Sequence, residues 1–78
     1  MVRNQMQQSI LVFKTNLAEE NDLEAVASML NEDPAIVKWN VDTEDIDNVL
    51  RIVADNIKPC YVEALIQQVG YFCEELPD

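Results

Sequence analysis

The chain has 78 residues, 5 of them basic and 15 acidic, with no histidine, for a formal charge of −10. So acidic a surface repels phosphate, which excludes nucleic-acid binding through a basic face, while 49% hydrophobic residues excludes a disordered acidic tail. The length suits a single domain with one modest core.

Residues 1–8 carry no apolar h-region or small-residue cleavage site and read as a disordered tail ahead of one domain at 9–78. No apolar run approaches the roughly 18–20 residues that cross a bilayer, so no membrane association is expected. Cys60 and Cys73 are too few and too far apart to staple a secreted mini-domain, which predicts free thiols and a cytoplasmic location.

Residues 9–15 contain Ile10, Leu11, Val12 and Phe13, a β-branched and aromatic run that predicts a strand apolar on both faces. Leu23, Val26, Ala27 and Leu30 then recur at helical spacing, giving a helix over 22–31 with Asn21 as N-cap and Glu24 in capping-box position. Asp33-Pro34 ends it, because the residue before proline is disfavoured in helical geometry. Val37, Trp39 and Val41 alternate with polar residues as in a half-buried strand, with Trp39 an inward anchor. Residues 43–47 make the turn to a hairpin partner carrying Leu50 and Ile52. Pro59 opens a second helix bearing Val62, Leu65, Ile66 and Val69, Gly70 stops it, and 71–76 form a last strand before Pro77. The order βαββαβ predicts an α+β, ferredoxin-like fold. Its four-stranded antiparallel sheet has two helices on one face and the first and third strands at its centre.

With these elements placed, the chain resembles the heavy-metal-associated (copper-chaperone-like) domain family over most of residues 10–76. The resemblance rests on the first strand and helix, on Asp33-Pro34-Ala35-Ile36 where the family has a Leu-Pro-Gly-Val-like turn, on Trp39-Asn40-Val41-Asp42, and on Gly70-Tyr71 before the last strand. The family's functional signature, Met-x-Cys-x-x-Cys between the first strand and first helix, is missing. Counted back from Pro34, its two cysteine positions fall on Glu19 and Asp22. Cu(I) requires soft thiolates, whereas carboxylates suit hard ions, so the resemblance implies the fold without the copper chemistry.

Glu19, Glu20 and Asp22 admit two readings: a hard-cation site, or acids stabilised by a helix N-terminus. No EF-hand spacing supports the first, and Ca²⁺ takes about 6–8 oxygens. The acid-rich run 42–47 likewise lacks the glycine and distal glutamate of a calcium loop and reads as a turn. Cys73 is expected to be packed and Cys60 to lie partly exposed in the first turn of the second helix. Met29 lies beside the apolar stripe of the first helix and reads as core filler.

The strand phases opposite the helices leave Ile10, Val12, Val49, Arg51, Val53 and Phe72 on the uncovered sheet face, with Lys38, Asn40 and Glu74. An apolar patch rimmed by charge is a candidate interaction face for a protein partner or for self-association, including a homodimer. Catalysis has little to stand on: there is no histidine, there are only two serines, and the single glycine rules out a glycine-rich phosphate loop. The expected function is therefore a non-catalytic, cofactor-free interaction domain. Two alternatives stand beside it: a metal-binding protein using the acidic loop or Cys60 with Cys73, and a regulatory domain that binds a small molecule at a dimer interface.

Overall fold

A computed structural model describes residues 8–77. Its elements follow the expected order: β1 (Gln8–Thr15), α1 (Glu20–Glu32), β2 (Ile36–Asp42), β3 (Val49–Asp55), α2 (Pro59–Gln68) and β4 (Cys73–Glu75). The strands form one sheet in the order β2-β3-β1-β4, with every neighbouring pair antiparallel. This is the ferredoxin-like arrangement, with β1 and β3 central. Among the described residues no helix is long and apolar enough to cross a membrane.

Alternation builds the core. Leu11 and Phe13 of β1, Leu50, Ile52 and Ala54 of β3 and Cys73 of β4 point to the side on which Val26 and Leu30 of α1 and Val62 and Ile66 of α2 are buried. Met29, Trp39 and Tyr71 pack at its edge, and the Trp39 Nε1–H donates to Asn31 Oδ1 at 2.8 Å. Gly70, at φ 94°, occupies the left-handed position just beyond α2. The Gly70 N–H donates to the Gln67 carbonyl at 3.0 Å, and the Ile66 carbonyl accepts both the Val69 N–H at 3.2 Å and the Tyr71 N–H at 3.3 Å, so the last turn of α2 is closed by the chain that follows it.

Several boundaries differ from the sequence reading. Gln8, assigned to the tail, is the first residue of β1 and pairs with Asp55; residues 1–7 lie outside the described residues. The N-cap of α1 is Glu19 rather than Asn21, and Asp22 rather than Glu24 reaches back to the chain. β2 carries a bulge between Ile36 and Lys38. Ile36 is buried in place of Val37, and Val37 is exposed. β4 is shorter than expected: Tyr71 and Phe72 belong to the connection, and the Phe72 N–H donates to Asn16 Oδ1 at 2.8 Å instead of entering the ladder.

Candidate functional site

Antiparallel pairing gathers three segments at one end of the sheet: the β1–α1 connection, the β2–β3 turn and the α2–β4 connection. Thr15 joins the first two. Its buried hydroxyl donates to the Asn48 carbonyl at 2.6 Å and accepts the Leu17 N–H at 3.1 Å, while its N–H donates to the Asp47 carbonyl at 3.0 Å. A buried hydroxyl satisfied on both counts fixes where the first connection leaves the sheet.

Within that connection Asp22 is the organising side chain. The Ala18 and Glu19 N–H groups both donate to Asp22 Oδ2 at 3.1 Å. These bonds, together with the Tyr71 hydroxyl from across the end of the sheet, hold the Asp22 carboxyl below the usual carboxylate range, the Glu19 N–H contributing most. The same contact raises the Tyr71 phenol above its ordinary value, with the Asp22 carboxylate as acceptor. A depressed carboxyl pKa stabilises the fold fully above the unfolded value, about 3.9, and that contribution is lost as pH falls through the lower folded value. Asp22→Asn is therefore expected to flatten the acid limb of the stability profile below about pH 4, read as denaturation midpoints at pH 3 to 7. A profile parallel to that of the parent protein overturns the assignment.

Glu19 and Asp22, expected from the sequence at the two signature positions, are thus the N-cap of α1 and the acid that closes its capping box. A soft cation does not fit them: both donors are hard carboxylates, and Asp22 is committed to the loop's own hydrogen bonds. The cysteines lie elsewhere. Cys73 is buried in β4, and burial first, then the Glu63 carboxylate, pushes its thiol up to about 12. Cys60 is exposed in the first turn of α2, which begins near the opposite end of the sheet, four residues after Asp55. Gln67 Nε2–H donates to the Cys73 carbonyl at 3.2 Å, and Cys60 precedes Gln67 by two helical turns, roughly 10 Å. Among the described residues no group of three or more Cys, Asp or Glu is placed to hold a metal ion. The acid-rich run at 42–47 is a turn held by its own side chains, Asp42 Oδ1 accepting the Glu44 N–H at 3.1 Å and Asp45 Oδ1 the Asp47 N–H at 2.8 Å.

The uncovered sheet face is organised in cross-strand rows. Ile10, Val53 and Lys38 form one row across β1, β3 and β2, and Val12, Arg51 and Asn40 form the next. All of these but Val12, together with Trp39, line a groove of roughly 420 Å³ that contains no acidic residue. Neither Lys38 nor Arg51 joins an ion pair among the described residues, where the one salt bridge is Lys14 Nζ to Asp47 Oδ1 at 3.8 Å. The patch is narrower than the sequence suggested. Val49 is only 6% exposed, its end of β3 lying beside the turn that Thr15 and Lys14 tie down. Phe72 is exposed but lies beside Asn16, six residues along β1 from Ile10, which is about 20 Å in an extended strand. Ile10, at 70% exposure, Lys38, Asn40 and Arg51 are the exposed members of the two rows, with Val12 and Val53 half-buried. Sequence reasoning missed Ile46, at 93% in the β2–β3 turn the most exposed large apolar side chain among the described residues. Its one signal was an isoleucine among the turn's four acids.

No family model matches the sequence, and no curated protein matches it. Solved structures do match in fold. The apo form of the HMA domain of the copper chaperone for superoxide dismutase superposes with a TM-score of 0.78 at 18% identity, covering 99% of this chain and 76% of that one. The Atx1–Cu(I)–Ccc2a complex gives 0.75 at 15% identity over 88% of this chain and 96% of that one. Oxidized MerP from Ralstonia metallidurans CH34 gives 0.75 at 10% identity over 90% and 99%. The chain therefore has the ferredoxin-like fold of heavy-metal-associated domains, as its resemblance in sequence implies.

Proposed function

We propose that the chain is a non-catalytic interaction domain on the heavy-metal-associated fold, in which the thiolate site has been replaced by a helix cap and binding is through the open sheet face. The observation that carries the reading is the use of Asp22: at the second signature position stands a carboxylate that accepts the Ala18 and Glu19 N–H groups. The loop is closed by its own hydrogen bonds rather than by a cation. One neighbour in fold is a complex between two proteins, Atx1 and Ccc2a, which supports protein association as a use of this architecture. The open face adds exposed Ile10 and two cations, Lys38 and Arg51, that form no ion pair among the described residues. The absence of histidine and the scarcity of serine support a non-enzymatic role, and two free thiols suit the reducing cytoplasm.

The test is a Cu(I) titration of the full chain against a competing chelator. The chain is expected to take no copper from the competitor, and stoichiometric transfer of one ion per chain overturns the reading.

A further inference from the structure

Two features of the surface are complementary, and they lie on different parts of the molecule. The first is the groove described above: apolar in Ile10 and Val53, cationic in Lys38 and Arg51, without an acid in its lining. In a chain with three acids for every base, 15 to 5, two neighbouring cations that pair with no carboxylate among the described residues form a site for one supplied from outside. The second is the β2–β3 turn. Ile46 stands 93% exposed there, between exposed Glu44 and Asp45 on one side and Asp47 on the other. The turn is rigid: besides its two side-chain turns, the Asn48 N–H donates to the Asp45 carbonyl at 2.9 Å and the Thr15 N–H to that of Asp47 at 3.0 Å. A β-branched side chain held out on a pre-ordered acidic turn loses little freedom when it docks.

We propose that the turn of one copy of this chain docks in the groove of a second, Ile46 seated against Ile10 and Val53 and the carboxylates of Glu44 and Asp45 meeting Lys38 and Arg51. This rests on the open-face reading above and names the occupant. Lys38 and Arg51 are diagonal neighbours on adjacent strands, about 7–8 Å apart, and so present two cations side by side to the two adjacent acids of the turn. Each copy gives one turn and receives one, either reciprocally across a two-fold axis or head to tail in a ring or short chain. The interface is small, so association is weak and dependent on concentration. At about 0.15 M salt the Debye length is near 8 Å, which screens the repulsion between two −10 chains more than the touching pairs.

Sedimentation velocity of the full chain over a range of concentrations tests this, with Ile46→Ser removing the knob and Arg51→Glu the groove. Both positions are exposed, and matching thermal melts verify folding. The parent chain is expected to gain mass with concentration, each variant to remain monomeric, and an equimolar mixture of the two to form a complex that stops at two chains. That last result follows because the intact groove of the first variant accepts the intact turn of the second. A mixture that stays monomeric, or a parent that is monomeric throughout, overturns the docking. Association that survives Ile46→Ser but not Arg51→Glu also overturns it, while leaving the open-face reading in place; that reading and the loss of the metal site are judged separately by the copper titration.

Discussion

A chain carrying Glu19→Cys together with Asp22→Cys is expected to bind one Cu(I) where the parent binds none. The two positions are the N-cap and third residue of α1, close enough that the Asp22 carboxylate reaches the Glu19 N–H at 3.1 Å. Two thiols there stand at a helix N-terminus, where the dipole favours thiolate, and thiolates are the donors Cu(I) selects. The variant loses the bonds that Asp22 receives from Ala18 and Glu19 and the contact from Tyr71, so it is expected to be less stable than the parent without metal and to recover stability when copper is added. The readouts are the chelator competition and the shift in melting temperature on loading. No gain of copper affinity in a folded variant overturns the correspondence of Glu19 and Asp22 with the metal-binding positions.

The second large effect concerns the core. Phe13 is fully buried on a central strand, with Leu50 of β3 opposite and Glu75 of β4 on its other side. Phe13→Ala removes a ring from the middle of the cluster, which costs about 3–5 kcal/mol. A domain of this size sits at the low end of the 5–15 kcal/mol typical of folded proteins, so most of its stability is lost. The melting temperature is expected to fall by at least roughly 12 °C, read by circular dichroism or urea denaturation. By contrast, Ile10→Ala on the open face is expected to change stability by less than about 1 kcal/mol. A Phe13→Ala variant that melts with the parent overturns the assignment of the core.

The fold was legible because the strongest local signals agreed with one another. The helical spacing of Val26 and Leu30 and of Val62 and Ile66, Pro59 at a helix start and Gly70 at its end all point to the same βαββαβ chain path. What escaped the sequence depends on partners distant in the chain. Asn21 is by type a better N-cap than Glu19, and only the reach of Asp22 back to Ala18 and Glu19, with Tyr71 49 residues further on, moves the cap. Strict alternation placed Val37 inward, and the bulge after Ile36 turned it out. Alternation also left Val49 in the open, because period-two patterning carries no information about the turn beside it.

The candidate site was legible in composition but not in geometry. The absence of a Cys-x-x-Cys pair could be counted directly, and the open face could be named strand by strand. The rows Ile10–Val53–Lys38 and Val12–Arg51–Asn40 are products of register, which no single strand encodes. Phe72 left the patch for the same reason, since β4 begins one residue after it. Ile46 was hidden by its neighbours: a run of acids reads as a solvated turn, and the apolar residue within it drew no notice.

Native mass spectrometry of the full chain, purified without chelators and sprayed at high and low concentration, reads bound metal and subunit number in one experiment. Metal-free chains that assemble as concentration rises are expected for an interaction domain whose signature loop is closed by Asp22. A monomer that keeps one metal ion per chain overturns that conclusion and returns the domain to the metal-binding role of its structural neighbours.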